Sequence, residues 1–354
     1  MRPKPPSTRR PRHGRRADQG GFVLALTLLT LAIITVVLAY LFDRTQAELR
    51  LAQARNERTD AWLAMQDTQA EVIYRLLTNP ITAQGVGNGA DVIKVDDRPY
   101  RGVRGTHVSL QDARGLVNLN TATDARIQRL LAALGVEPLQ ASALTDRLRD
   151  FTDEDDLRRL SGAERREYEE AKLPPPRNGP LVTPQDLRLV YGWHRQDKLF
   201  DAGGIERFTT TARTIGFNPN TAPAEVLQAH AASREGVGVL LALRKERPVS
   251  ELDFMTLAAG EPGTLFNPVI VIPGETFRIT HYAPKARWAV RYSVTLTPRS
   301  AAGPWRIDYV YRLAQSQADP GAAAFDDRNI PALPRRLSAP AEEMPDLLAP
   351  LFGR

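Results

Sequence analysis

The chain has 354 residues, of which 42% are hydrophobic, no cysteine, and a formal net charge of +6. This length predicts two or three domains, and the lack of cysteine excludes disulfide bonds and thiolate metal ligands. Residues 1–21 hold seven basic residues and one acid, so the rest of the chain has 40 basic and 40 acidic residues. The basic excess therefore belongs to the N-terminal segment alone, and it does not predict a nucleic-acid-binding body.

An uncharged apolar segment, FVLALTLLTLAIITVVLAYLF, occupies residues 22–42 and has neither Gly nor Pro. At about 1.5 Å per residue it spans roughly 30 Å, so we expect a transmembrane helix. The arginines that precede it predict a cytoplasmic N-terminus and an exported body. A secretory signal peptide is the alternative, but its apolar core would have about 7 to 15 residues and end at a small-residue cleavage site.

The helix is predicted to continue through residues 43–79, because no Gly or Pro occurs before Asn79-Pro80. Apolar residues recur among charges in this second half, at Leu49, Ala52, Trp62, Met65, Ile73, Leu76 and Leu77. Such an amphipathic pattern predicts that this half of the helix lies against the exported domain.

The basic leader that ends in Gly21 and the Phe22 that opens the helix resemble the type IV pilin signature. The resemblance implies that a prepilin peptidase cleaves after Gly21 and that Phe22 becomes the N-terminus, with methylation. The family pattern has Glu at the fifth mature position, whereas this chain has Leu26. In that departure the chain is similar to the K component of type II secretion systems, a minor pseudopilin.

Residues 147–193 carry further likeness to the K family: an acidic stretch, Gly-Ala-Glu followed by Tyr, Arg-Asn-Gly-Pro-Leu, and Asp-Leu-Arg-Leu-Val. The resemblance extends over roughly residues 14–312. It implies an α/β, type IV pilin-like fold, in which a long N-terminal helix packs on an antiparallel sheet and a large all-α domain is inserted. Runs compatible with strands occur at 92–95 and 100–110, and alternation recurs beyond Pro268.

The predicted organisation is a basic, cleaved leader at 1–21, a transmembrane half-helix at 22–42, an amphipathic half-helix at 43–79, a first part of the sheet at 80–117, an inserted helical domain at 118–268, a second part of the sheet at 269–314, and a largely disordered Ala- and Pro-rich tail at 315–354.

A five-residue string recurs in the predicted helical domain, as NLNTA at 118–122 and NPNTA at 218–222. Each copy precedes helical sequence, and Thr121 and Thr221 are predicted to cap the helices. The copies resemble SAM-like or helix-hairpin-helix modules. A membrane-anchored helix-hairpin-helix DNA receptor is therefore the alternative function, but the neutral body and the neighbouring acidic stretch disfavour it. We expect no nucleic-acid partner.

The acidic stretch is the candidate metal site. Asp153, Glu154, Asp155 and Asp156 are consecutive, and Glu164 follows Gly162. Carboxylate oxygens are the ligands that Ca²⁺ prefers. The K-family resemblance implies structural calcium, with Asp153, Asp155, Asp156 and Glu164 as ligands. Family members often have another acid where this chain has Arg165, and the alternative is a solvated acidic helix end.

No catalytic motif is present: the five histidines have no metal-ligand spacing, and no nucleophile elbow, Walker loop or metalloprotease string occurs. We therefore expect that the chain is not an enzyme. It is expected to lie in the inner membrane with one span and a periplasmic body. The resemblance implies assembly with I-, J- and H-type minor pseudopilins and the major pseudopilin, contact with prepilin peptidase and inner-membrane lipid, and a position at the pseudopilus tip, where it initiates the pseudopilus.

Overall fold

The computed structural model describes residues 20–201, 204–259, 268–282, 288–314 and 329–334. Residues 1–19 of the predicted leader and most of the predicted tail lie outside these residues. The helices are α1 Gly20–Thr78, α2 Asp124–Ala133, α3 Pro138–Thr152, α4 Arg165–Glu170, α5 Asp197–Phe200, α6 Ala224–His230, α7 Arg234–Glu246 and α8 Glu251–Leu257. The strands are β1 Ile81–Thr82, β2 Gly85–Val86, β3 Asp96–Arg101, β4 His107–Asp112, β5 Val117–Asn118, β6 Thr209–Thr210, β7 Thr276–Tyr282, β8 Trp288–Leu296 and β9 Trp305–Ala314.

The chain divides into two compact units, with the boundary inside α1 after Thr59. The first unit contains the apolar half of α1, which is long and apolar enough to cross a membrane by length and composition, with a mean hydropathy of 2.8. Its threonine hydroxyls donate to carbonyls of their own helix, as from Thr27 to Leu24 at 2.9 Å and from Thr35 to Leu31 at 2.8 Å. These polar groups are therefore satisfied without water, as a lipid environment requires.

In the second unit, the C-terminal part of α1 packs on one face of a sheet. Met65, Ile73 and Leu76 are buried there, as the amphipathic pattern predicts, whereas Trp62 is 42% exposed. The core that they enter also contains Val72 from α1, Val108 and Leu110 from β4, Phe277 and Ile279 from β7, and Val290, Tyr292 and Val294 from β8. A long helix on an antiparallel sheet is the arrangement that the sequence predicts.

The sheet has five antiparallel strands in the order β3-β4-β7-β8-β9. The predicted strand at 92–95 is wrong, because only Ile93 pairs there, in a bridge to Val86, and β3 starts at Asp96. The predicted run at 100–110 is divided by a turn in which Arg104 and Gly105 have φ of 53° and 73°. At these two residues the backbone has the left-handed conformation that favours Gly. This conformation turns the chain into β4.

Six residues of the predicted disordered tail, 329–334, lie against the edge strand β3. The Arg101 backbone N–H donates to the Pro331 carbonyl at 2.8 Å, and the Leu333 N–H donates to the Arg101 carbonyl at 2.9 Å. Leu333 is buried in the core beneath α1. The prediction of disorder is therefore wrong for this short segment, since Ile330 and Leu333 supply apolar side chains that the sheet edge buries.

The other face of the sheet is polar and buried. Arg278, 2% exposed, donates through Nη2 to Asp97 Oδ2 at 3.0 Å and through Nη1 to the Glu206 and Arg207 carbonyls at 3.0 and 2.7 Å. The Ser109 hydroxyl donates to Asp97 Oδ1 at 2.9 Å. Since a buried charge is tolerated only when paired, these bonds fix the segment around 206 on the sheet.

The helices α2 to α8 lie in sequence between β4 and β7, although these two strands are neighbours in the sheet. They enclose a separate apolar core that includes Leu130, Leu148, Trp193, Leu227 and Phe254. The Trp193 indole N–H donates to the Leu144 carbonyl at 2.9 Å, so its polar atom is satisfied inside this core.

The two recurring strings fold in the same way. Asn118 and Asn218 each accept, through Oδ1, the backbone N–H two residues later at 3.0 Å. The side-chain amide of Asn120 donates to the Leu181 carbonyl at 3.0 Å and accepts the Leu181 N–H at 2.9 Å. Asn220 forms the same two bonds with the Val249 backbone, at 3.0 and 2.7 Å. Each string therefore ties the start of a helix to a distant loop.

The predicted helix caps at Thr121 and Thr221 are wrong. Thr123 caps α2 by accepting from the Arg126 N–H, and Pro223 occupies the capping position of α6 without a side-chain bond. Thr121 is exposed, whereas the Thr221 hydroxyl donates to Asp112 Oδ2 at 2.9 Å. The second threonine is therefore used for a long-range contact.

Asp112 stands at the end of β4, where the chain leaves the sheet. Its Oδ1 accepts the backbone N–H of Arg114 and of Gly274, both at 3.1 Å. Its Oδ2 accepts from the Asn218 amide and the Thr221 hydroxyl, both at 2.9 Å. Burial raises the pKa of Asp112, and these four donors oppose the rise. The segment between β4 and β7, residues 113–275, is called the helical segment below. One carboxylate thus connects the start and the end of this segment with the second string.

We expect Asp112→Ala to lower the free energy of unfolding by about 3 kcal/mol, because four buried donors lose their acceptor. Urea denaturation of the purified full-length chain, followed by tryptophan fluorescence, measures this change. The matched control, Asp60→Ala, removes an exposed carboxylate and is expected to shift stability by less than about 0.5 kcal/mol. Equal effects of both substitutions would contradict the role of Asp112.

Candidate functional site

The N-terminal positions predicted to be functional lie at the start of α1. Gly21 is the second residue of the helix, and Phe22 and Leu26 follow within its first two turns. Both side chains are exposed, at 74% for Phe22 and 49% for Leu26. Their roles in cleavage and in tip placement remain predictions.

The predicted calcium ligands lie where the chain passes from α3 to α4. Asp153 directly follows α3 and occupies its C-cap position. Its N–H donates to the Arg149 carbonyl at 2.8 Å. Glu164 is the residue that precedes α4, and its N–H donates to Glu167 Oε2 at 2.9 Å. The two helix ends thus hold both ends of the acidic segment.

Sequence reasoning missed a buried carboxylate at this site. Asp150, in the last turn of α3, has no exposed side-chain surface, and its two oxygens accept the Arg159 N–H at 3.3 and 3.2 Å. A Cβ at Gly162 would overlap the Asp150 carboxylate, so the glycine permits the loop to approach it. The spacing to Asp153, one helical turn, is the sequence signal for Asp150.

Several oxygens at the site are buried and have no hydrogen-bond partner among the described residues. They are Oδ1 of Asp153, Oδ1 of Asn178 and, apart from a capping contact with the Glu167 backbone N–H, Oε1 and Oε2 of Glu164. Glu164 is 6% exposed. An unpaired buried acceptor is costly, so each of these groups is suited to a cation that the protein itself does not supply.

Asp155 and Asp156 differ from this group because they are exposed. Asp155 Oδ1 accepts the Leu157 N–H at 2.8 Å, and Asp156 Oδ1 accepts the Asn178 amide at 3.1 Å. The Asn178 amide also approaches the Asp155 carbonyl, at 3.4 Å. Asn178 belongs to the Arg-Asn-Gly-Pro-Leu motif of the sequence but was not predicted to be a site residue.

The carboxylates of this site are electrostatically coupled. Burial raises the pKa of Glu164 to about 7, and the charges of Asp150 and Asp153 add to the rise. Burial likewise raises the pKa of Asp150 to about 6, with a contribution from Asp153. The pKa of Asp153 is raised by burial and by Asp155. Mutual repulsion of this kind is relieved by a bound cation.

Of the four predicted ligands, Asp153 and Glu164 share an electrostatic environment with Asp150, whereas Asp155 and Asp156 are exposed. Throughout the described ranges, no three His, Asp or Glu side chains gather closely enough to hold a metal ion. The available donors are all oxygens, and oxygen donors are the chemistry that suits Ca²⁺.

The architecture agrees with the predicted class, a membrane-anchored pilin-like protein: one apolar helix continues into a domain built on an antiparallel sheet. Residues 108–198 match the family described as type II secretion system (T2SS), protein K. Over these residues the match confirms the predicted resemblance to the K family. The matched segment contains all of β4 except His107, the first recurring string and the whole acidic site.

The chain is also similar to a chain in the crystal structure of the GspK-GspI-GspJ complex from the type 2 secretion system of enterotoxigenic Escherichia coli. The two are 18% identical, the similarity covers 76% of this chain and 99% of the other, and the TM-score is 0.45. A comparison with curated protein sequences gives no match.

The raised pKa of Glu164 predicts how stability depends on pH. Without added divalent cation, we expect the free energy of unfolding to fall as pH rises from about 4.5 to about 7. In that window the folded chain keeps a proton that the unfolded chain has released, so folding is favoured at the lower pH. Urea denaturation in chelator-containing buffers across this range measures the slope.

Glu164→Gln is expected to reduce this slope, since the amide does not titrate, whereas the exposed Glu154→Gln leaves it unchanged. An identical slope in the unaltered chain and in Glu164→Gln would show that Glu164 does not hold the proton.

Proposed function

We propose that this chain is a minor pseudopilin of a type II protein secretion system, with a structural and not a catalytic role. The match of residues 108–198 to the protein K family carries the proposal. The apolar half of α1 supports it, because a pseudopilin requires one membrane-spanning helix, here in the inner membrane with the body in the periplasm.

The proposed assembly contains I-, J- and H-type minor pseudopilins together with the major pseudopilin. Contact would be made through the long helix α1, whose residues 22–42 leave their apolar side chains exposed. In this assembly the chain initiates and caps a short periplasmic pseudopilus and so supports export of folded proteins across the outer membrane.

Leu26 supports a place at the tip. In pilins, Glu at the fifth mature position pairs with the N-terminal amine of a neighbouring subunit inside the membrane, where an unpaired charge is costly. The first subunit of a filament has no earlier subunit whose amine needs neutralising. An apolar Leu26 therefore avoids burying an acid without a partner. We also expect a body as large as the helical segment, residues 113–275, to clash with its neighbours if it were repeated along a shaft.

Gold-labelled antibody against the helical segment tests this function on overproduced pseudopili, with antibody against the major pseudopilin as the control that marks the shaft. We expect about one copy per pseudopilus, at the distal end. We expect Leu26→Glu to leave the exported body folded and to gain nothing in assembly. Labelling of the unaltered chain along the shaft would refute the tip position, and failure to label pseudopili at all would refute the proposed function.

The proposed processing is cleavage after Gly21, which leaves Phe22 as a methylated N-terminus. We expect Gly21→Leu to block cleavage, because the peptidase has to accommodate a residue without a side chain at the cut. N-terminal sequencing and mass measurement of membrane-extracted protein test this. Val23→Leu, a conservative change beyond the cut, is the control, and an unaltered chain that still begins upstream of Gly20 would contradict the pilin-type leader.

We propose that the acidic site binds structural Ca²⁺, which supplies positive charge to a coupled set of carboxylates. Asp153 and Glu164 would hold it through their unpaired oxygens, with Asp155 and Asp156 as the ligands implied by the family. Asp150 and Asn178 offer further oxygens at the same place. The fit rests on the buried unpartnered acceptors and on the raised pKa values.

With Ca²⁺ at about 100 times its Kd, the free energy of unfolding of the full-length chain is expected to rise by about 2.7 kcal/mol. The gain should be larger above pH 7 than below it, because the ion binds the ionised carboxylates. Thermal unfolding with and without Ca²⁺ measures it. Asp153→Ala with Asp155→Ala should remove the effect, while the exposed Glu154→Ala should retain it. Unaltered stability at millimolar Ca²⁺ would mean that the acidic segment is only a charged surface.

A further inference from the structure

A basic cleft lies between the chain around β2 and β3 and the C-terminal end of α7. Its volume is about 440 Å³. Five cationic side chains line it, from Lys94, Arg98, Arg244, Lys245 and Arg247. The acidic lining residues are Asp96 and Glu246, so cationic groups outnumber carboxylates.

Two of the five cations are already paired. Arg98 donates two hydrogen bonds to the Asp96 carboxylate, at 2.8 and 2.6 Å. Arg247 donates two to the Asp253 carboxylate, at 2.7 and 2.8 Å. Bidentate pairs of this kind use both carboxylate oxygens. Lys94, Arg244 and Lys245 remain outside these pairs, against the one remaining carboxylate in the lining, that of Glu246, so the cleft keeps a positive excess.

Arg244 is the central donor of this group. Its Nη1 donates to the Pro219 and Ala222 carbonyls at 3.1 and 2.6 Å. Within the part of the chain that the structure describes, no protein acceptor binds its Nε or Nη2. Burial lowers the pKa of Arg244, and burial together with Arg98 lowers that of Lys94. An anion would relieve both effects.

At the first copy of the recurring string, the equivalent arginine has a carboxylate partner. Arg149 likewise donates to carbonyls of its string, those of Leu119 and Ala122, and in addition its Nε donates to Asp124 Oδ1 at 2.7 Å. In the second copy, Ala224 stands where the first has Asp124. Arg244 therefore lacks the carboxylate that its counterpart possesses.

We propose that the cleft binds a carboxylate from an acidic peptide segment of a partner protein. The internal repeat supports a carboxylate, since the same chain pairs the equivalent arginine with one. A nucleic-acid phosphate backbone fits less well, because Asp96 and Glu246 line the cleft and would repel a dense row of phosphates. The inference does not depend on the proposed function in secretion.

The test uses the full-length chain in detergent and a fluorescein-labelled peptide with four consecutive glutamates, with the four-glutamine peptide as its control. We expect saturable binding of the glutamate peptide alone, weakening as salt is raised. Lys94→Gln with Lys245→Gln should weaken binding by at least about tenfold, because two charge-assisted contacts are lost. The matched control is Lys172→Gln with Lys198→Gln, which removes two exposed lysines elsewhere and should bind as the unaltered chain does.

Three further arms identify other ligands. Binding of citrate without binding of the peptide would assign a free small carboxylate and overturn the partner segment. Binding of a short DNA duplex that is lost in the Lys94 and Lys245 double variant would assign nucleic acid and overturn the carboxylate. Equal binding of the glutamine peptide, equal loss in both double variants, or no saturable peptide binding up to about 1 mM would also overturn the proposal.

Discussion

The buried carboxylate of Asp112 is the interaction on which the arrangement of the second unit depends. It accepts bonds from the backbone at both ends of the helical segment, at Arg114 and Gly274, and from Asn218 and Thr221 of the second string. An insertion between two neighbouring strands has to leave and return within one strand spacing, about 5 Å. The Asp112 carboxylate accepts all four bonds at the end of β4 and so satisfies that constraint.

The polar face of the sheet supplies the second attachment. Arg278 lies between Asp97 of β3 and the carbonyls at 206–207. Because a charge removed from water has to be compensated, displacing this contact would leave Arg278 or Asp97 buried without its partner. The other face, which meets α1, is by contrast apolar. The sheet is thus held to α1 by hydrophobic burial and to the helical segment by directional hydrogen bonds.

The acidic site lies where α3 ends and α4 begins, beside the apolar core of the helical segment. Asp150 and Glu164 are buried near Phe151 and Tyr168, which belong to that core. Their pKa values are raised because burial and mutual repulsion act together. A cation that neutralises them would add stability where hydrophobic burial is limited, which is consistent with a structural role for the ion. The basic cleft at Arg244 has the opposite sign and lies beside the second string.

The sequence by itself determined those features that depend on neighbours along the chain. An uninterrupted apolar segment without Gly or Pro requires a helix, as α1 shows, and alternating side chains beyond Pro268 require strands, as β7 and β8 show. Burial raises the pKa of Glu164, and among the acidic residues the charge of Asp153, 11 positions earlier, adds to the rise, while their role as calcium ligands remains a prediction.

Only the tertiary structure decided the contacts between distant residues. Thr221 was predicted to cap a helix but bonds to Asp112, 109 residues earlier, and Asn178 reaches Asp156 from 22 residues away. Residues 329–334 resemble a disordered tail until a sheet edge and its core are available to them. The physical reason is that local patterns report intrinsic preference, whereas hydrogen-bond partners and burial depend on which distant groups the folded chain brings within about 3 Å.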